Sequence, residues 1–354
     1  MGDFDMPRFA QQLIAFLLML ASALLPLPAT AAAPAGKVLL VISSHGAQSG
    51  QERPGFEMDE LSQAYAVFAD NGFDVEIASP QGGEPVADEY DPRKPYNARA
   101  LSDPDFLASF RQTRRLMDVK SEAYRAIFVI GGKGAMFDLP INTDLKQLIA
   151  ATYEAGGVIG AVCHGPMAFA NLRLSDGSAL VAGRNLTGFS NEEEALFGKR
   201  WVPHFPVFLE DALRGAGGQF SKGAIMLDHV VTDGRLVTGQ NPYSTARTAE
   251  AVVAAVGLPA APRQPYPDER SVAAIHSLLE GAGTQVAEAI ASDPAGYDIP
   301  LIAVWGYYRT LQAGTDRAML VQGLAVMELA EPHFADPEFK RTMGEVRQRL
   351  ASSK

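Results

Sequence analysis

The 354-residue chain carries a single cysteine, Cys163. An intrachain disulfide and a zinc site of the paired-cysteine type are therefore excluded, and the thiol is either inert packing or chemistry. Positive charge is also short: 30 Lys and Arg stand against 41 Asp and Glu, a formal net charge of −11. Such a field opposes phosphate backbones and argues against nucleic acid as a partner. Long apolar runs are missing too, since the stretch from Leu13 through Leu25 falls short of the ~20 residues that span a bilayer. What the chain does have is core material. Hydrophobic residues make up 47%, with 18 Phe and 10 Tyr, which excludes wholesale disorder. At ~100–200 residues per domain, the length suggests two domains, or one large domain with an extension.

Arg8, the apolar run, Pro26 and Pro28, and then Ala29-Thr30-Ala31-Ala32-Ala33 follow the order of a secretory signal peptide. Residues 1–31 are expected to be removed, leaving a mature chain that begins near Ala32 in the periplasm or outside the cell. An uncleaved anchor is the alternative. Nothing later in the chain reads as transmembrane.

From residue 37, short apolar runs alternate with amphipathic stretches. Val38 to Ile42, Asp74 to Ala78, Ala126 to Ile130 and Val158 to Val162 read as strands. Met58 to Ala69, with Leu61, Tyr65 and Phe68 on one face, and Leu145 to Ala155 read as helices. This alternation predicts an α/β fold, a parallel sheet sandwiched by helices, and a further helix is expected after the fourth strand. Val230 to Thr232 and Arg235 to Thr238 flank Asp233-Gly234, a hairpin signal, and Tyr243 to Val256 reads as a closing helix. Residues 258–267 contain four prolines and mark a linker. Beyond it, 268–354 shows only helical periodicity, carried by Val272, Ile275 and Leu278, then Ile302, Trp305 and Tyr308, then Met319, Leu324 and Met327. An all-helical extension is expected there, serving assembly or pocket closure without supplying catalytic groups.

The chemistry gathers where the fourth strand ends. Gly160-Ala-Val-Cys163-His164-Gly165-Pro166 places a nucleophilic residue type at a sharp turn flanked by small residues, a nucleophile elbow with sulfur in place of oxygen. A helix N-terminus and a neighbouring imidazole would lower the thiol pKa from ~8.5, so thiolate is expected at neutral pH. Gly131-Gly132-Lys133-Gly134, ending the third strand, offers amides to a developing oxyanion and lacks the spacing of a phosphate loop. His45, His204, His229, His276 and His333 show no metal-ligand spacing, so neither a metal nor another cofactor is expected. His45 falls near the pocket rim.

These runs, together with Leu186-Thr-Gly-Phe-Ser190-Asn191-Glu192-Glu193-Glu194 and Val237-Thr-Gly-Gln-Asn241-Pro242, resemble the ThiJ/PfpI superfamily across residues 37–257. The resemblance implies a class I glutamine-amidotransferase-like, flavodoxin-like fold. It is similar above all to the glyoxalase III-like, heat-shock branch, through the insertion between Gly83 and Tyr124 and the late Asn-Pro motif. It implies that Cys163 is the nucleophile and His164 its base or acid. Glu194 would orient the imidazole, with the register among Glu192, Glu193 and Glu194 open by one residue. Glu60 would share a proton with the sulfur, and Gly132 with the His164 amide would form an oxyanion hole. The implied activity is conversion of methylglyoxal to lactate without glutathione. A holding chaperone that binds unfolded clients as a homodimer and a cysteine-dependent amidase, peptidase or deglycase are the alternatives.

Overall fold

Every residue of Val38 to Ile42 is fully buried, and this first strand lies in the interior of a seven-stranded sheet, beside its central strand. The computed structural model describes residues 35–46 and 52–352, so the expected leader, residues 1–31, lies outside the described residues. The strands are β1 (Lys37–Val41), β2 (Asp74–Ser79), β3 (Arg114–Arg115), β4 (Ala126–Val129), β5 (Val158–Val162), β8 (Val230–Asp233) and β9 (Leu236–Gly239). Their order is β3-β2-β1-β4-β5-β9-β8, parallel throughout except for the β8–β9 hairpin. A separate parallel pair joins β6 (Asn185–Leu186) to β7 (Gln219–Phe220). This is the α/β sandwich that the alternation predicts, with the flavodoxin-like fold that the resemblance implies.

Side chains alternate across the sheet, as the pleat requires. Val38, Leu40, Ile42, Phe128 and Ile130 pack with α1 (Met58–Asp70) and α8 (Thr245–Ala255). Leu39, Val41, Ile127, Val129 and Ile159 pack on the other face with α5 (Thr143–Glu154). Gly160 lets α8 approach, because a Cβ there would stand 2.6 Å from the Phe128 ring and 2.7 Å from Val252.

Two local expectations change. The segment after β5 is a five-residue 3₁₀ turn, Gly165–Phe169, and no α-helix follows the elbow; Pro166 and the lack of a polar cap leave only one tight turn. Asp233 pairs with Leu236, so the hairpin loop is Gly234-Arg235, one residue later than the sequence suggests. The insertion holds two short helices, α2 (Pro95–Ser102) and α3 (Pro104–Arg111), each opened by proline; Asp103 caps α3 by accepting from Asp105 and Phe106.

The connection after Gly257 runs without regular structure to Tyr266. Within it Arg263 pairs with Glu250 of α8 at 2.7 Å and with Glu269 at 2.6 Å. The extension consists of α9 (Pro267–Leu279), α10 (Gly283–Ser292), α11 (Ile299–Gln312), α12 (Arg317–Ala330) and α13 (Pro337–Ser352). Its apolar centre, around Trp305, Ile302 and Met327, also takes in Met226 and Leu227 from the core. Core and extension form a single compact unit.

Candidate active site

Cys163 follows β5 directly, and its backbone turns there with φ +57°, a conformation an L residue holds only when its neighbours fix it. They do so from both sides: the Cys163 N–H donates to Gly239 O at 3.0 Å and its C=O accepts from Phe189 N–H at 2.8 Å. The next residue, His164, brings Nδ1 to 3.3 Å from Sγ. Its other nitrogen, Nε2, lies 2.9 Å from Glu194 Oε2, and both residues are buried. Phe189 stacks on the imidazole at 4.4 Å, fixing the ring plane.

The register among the three glutamates follows from α6 (Asn191–Phe197). Ser190 is its N-cap and Glu193 closes a capping box with it. Glu193 is thereby turned to Ser190, Met226 N, Gln240 and Asn241, and Glu194 is the one that meets His164. Glu192 points to Lys222 and Gln312. The S-x-x-E signature was the sequence signal that separates the three.

Glu60, buried in the first turn of α1, accepts from Gly131 N–H at 2.7 Å through Oε2. Burial, and then the nearby Glu57, push its carboxyl well above the ordinary range, opposed by Gly131 N–H and by a hydrogen bond with the Cys163 thiol. The thiol itself is pushed up, by burial first and then by Glu60 and Glu57, and the Gly132 N–H works against them. This corrects the expected lowering: the anticipated helix terminus is absent, and the sulfur is enclosed beside acids. An ionised Glu60 therefore disfavours the Cys163 thiolate, and burial favours the neutral form of both groups.

Gly131 and Gly132 are required by close approach. A Cβ on Gly131 would stand 2.7 Å from His164 N and 2.8 Å from Cys163 Cβ. Gly132, at φ +86°, would drive a Cβ to 2.5 Å from Glu57 N.

Cys163, His164 and Gly132 open on a cavity of about 180 Å³, small beside the ~300–1,000 Å³ of drug-sized sites. Glu57, Asp88, Lys133, Phe197, Met226, Asn241 and Tyr243 also line it. Of the expected residues, Cys163, His164, Glu194, Glu60 and Gly132 come together here. His45 does not line the cavity; it stacks on Phe137 at 4.3 Å. No pattern in the sequence singles out Glu57, a half-buried acid three residues before Glu60, whose carboxyl is pushed up to about 7 by burial and by Asp59 and Asp88. A larger cleft of about 490 Å³ between α8 and α9 holds no nucleophile, and its Arg247 and Arg263 are paired with Asp228, Glu250 and Glu269.

A buried cysteine at the elbow of a flavodoxin-like sheet, flanked by a His–Glu pair and a glutamate from the first helix, defines a class of thiol-bearing α/β proteins. The chain belongs to the DJ-1/PfpI family, which matches residues 52–255. It is 29% identical to Glyoxalase 3 of Candida albicans, over 62% of this chain and 98% of the relative. It is 31% identical to a glutathione-independent glyoxalase of Schizosaccharomyces pombe, over 62% and 95%. The solved structure of glyoxalase III from Candida albicans matches with a TM-score of 0.57 at 28% identity, covering 62% of this chain and 97% of that one. Rapid Encystment Protein 24 kDa of Francisella tularensis matches with 0.58 at 32%, covering 62% and 99%.

Proposed function

We propose that the chain is a cysteine-dependent, glutathione-independent glyoxalase of the lyase type that converts methylglyoxal and water to lactate. The observation that carries this is the continuous arrangement Glu60–Cys163–His164–Glu194 around a cavity suited to a small molecule. The glyoxalases among its relatives support the same substrate class.

Sγ of Cys163 adds to the aldehyde carbon, and the developing oxyanion is met by the Gly132 and His164 amides. The hemithioacetal then loses its C1 proton to Glu60 or His164, giving an enediol, and a proton returned to C2 yields the lactoyl thioester. Water attacks that thioester, lactate leaves, and the thiol is regenerated. Protons move between neighbouring carbons, so no external oxidant or reductant enters. Glu194 holds the imidazole and touches no reacting atom.

Lactate is measured directly, so that trapping of the aldehyde by the thiol is not counted as turnover. Cys163→Ala is expected to abolish lactate formation, and Glu60→Gln to lower it by ~10²–10⁴-fold, the usual contribution of a positioned proton-transfer group. Wild-type lactate formation no faster than that of Cys163→Ala would overturn the reading in favour of amide or ester hydrolysis by the same thiol.

One observation favours a second reading, a holding chaperone or homodimer. Val304, Tyr307 and Leu311 on α11, with Val321 on α12, leave an exposed apolar stripe. Suppression of client aggregation that survives Cys163→Ala would support it. Export through a cleaved leader is likewise proposed from residues 1–33, and the N-terminal mass of protein recovered from fractionated cells tests it.

A further inference from the structure

Three apolar side chains of the cavity wall, Phe197, Met226 and Tyr243, also belong to the apolar cluster built by the helical extension. Met226 is the strained one. It holds φ +56°, and the backbone on each side of it is clamped. From the core, Glu193 Oε1 accepts from Met226 N–H at 3.0 Å, and Asn241 Nδ2 donates to Leu227 O at 2.8 Å. From the extension, Trp305 Nε1–H donates to Ile225 O at 2.9 Å, and Trp305 is fully buried. Tyr308, one turn on, meets the Phe197 ring edge-on at 5.0 Å. Gln312 Nε2 donates to Glu192 Oε1 at 2.7 Å, tying the extension to the helix that carries Glu193 and Glu194. The family match stops at residue 255, so these contacts are additions to the shared fold.

We propose that the helical extension is a specificity element of the active site: Trp305 and Tyr308 act as positioning residues that hold the Phe197–Met226–Tyr243 wall and exclude electrophiles bulkier than a three-carbon dicarbonyl. The proposal rests on the reading of Cys163 as the nucleophile facing this cavity, but not on which aldehyde it converts. A left-handed methionine keeps its position only while both clamps hold. Removal of the extension's clamp frees the wall, and the cavity then admits larger molecules with little change for small ones.

Because Cys163 is the only cysteine, thiol labelling reads access to this cavity alone. Alkylation rates are measured with iodoacetamide and with N-benzylmaleimide on the wild type, Trp305→Phe, Trp305→Ala and Tyr308→Ala, each checked for folding by circular dichroism. The ratio of large- to small-reagent rates is expected to rise about tenfold in Trp305→Ala, the size of effect one misfit group has in an apolar pocket. It should rise less in Trp305→Phe, which keeps most of the ring volume and loses only the N–H donor. Phenylglyoxal over methylglyoxal, compared as kcat/KM, should shift the same way. If Trp305→Ala does not fold, Tyr308→Ala decides. An unchanged ratio in the folded variants overturns the proposal, and so does an equal rise in both rates, which would mean general loosening. A wild type that converts neither aldehyde defeats the glyoxalase reading, while the labelling arm still decides this one.

Discussion

At Cys163 the left-handed backbone costs an L residue roughly 1–2 kcal/mol, and it sets the buried sulfur beside the His164 imidazole. The acids around it set when it reacts. Glu57 is the informative one, because burial beside Asp59 and Asp88, opposed by Lys133, brings its carboxyl up to about 7, and its charge pushes the thiol further up. As pH rises through 7, Glu57 ionises and disfavours the thiolate. The wild-type rate of alkylation by iodoacetamide should therefore climb less than tenfold per pH unit between about 6.5 and 8. Glu57→Gln removes that charge, so its profile should be steeper, and the reaction at pH 8 about three- to tenfold faster, as for a nearby charge at intermediate dielectric. Superimposable profiles would show that Glu57 does not sense the sulfur.

Among the elements, α6 carries the greatest consequence for its seven residues. Its capping box spends Glu193 on structure: that carboxylate receives Ser190 Oγ at 3.0 Å, Met226 N at 3.0 Å, Gln240 Nε2 at 2.9 Å and Asn241 Nδ2 at 2.8 Å. Glu193→Ala leaves these buried donors unpaired, at ~1–3 kcal/mol for each group that finds no new partner. A loss of about 3 kcal/mol or more in urea unfolding is expected, together with lost activity, since Glu194 is the next residue. Glu194→Gln should barely change the unfolding midpoint by comparison. The same element shows what the sequence could convey. Apolar runs such as Val38 to Ile42 and the Cys163–Pro166 turn are local signals, and both appear where the pattern placed them. The insertion's α2 and α3 were not legible, because eight-residue helices carry barely two turns of periodicity. Nor was the missing helix after Cys163, which a glycine–proline pair reduces to one turn. Contacts across long separations, such as Trp305 to Ile225, leave no trace in either local pattern.

In the molecule as a whole, core and extension meet at a titratable seam. Tyr96 of α2 places its single hydroxyl 3.1 Å from both Asp59 Oδ2 and Asp268 Oδ2, the latter on α9. One hydroxyl proton cannot serve two ionised carboxylates at once, and Asp268 is pushed by burial from 3.8 up to about 6. Asp138, which accepts from Ser43 Oγ and Ser44 N–H, is pushed by burial to about 6 as well. With Glu57 near 7, three acids have folded-state values that lie at about 6 to 7, above their unfolded ones. The stability such groups contribute is complete below their unfolded pKa values, near 4, and is lost as pH rises through 6 and 7. Glu76, held down to about 2 despite burial by bonds to Lys37, Tyr124 and Arg114, acts only below that window. The urea midpoint should therefore fall between pH 5.5 and pH 8, by on the order of 2 kcal/mol in unfolding free energy once the half-buried Glu57 is discounted. Asp268→Asn removes one of the three titrations while leaving Tyr96 an acceptor, so its decline over the same interval should be shallower than that of the wild type. A midpoint that rises with pH, or an Asp268→Asn profile parallel to the wild type, would show that the seam does not titrate in this range.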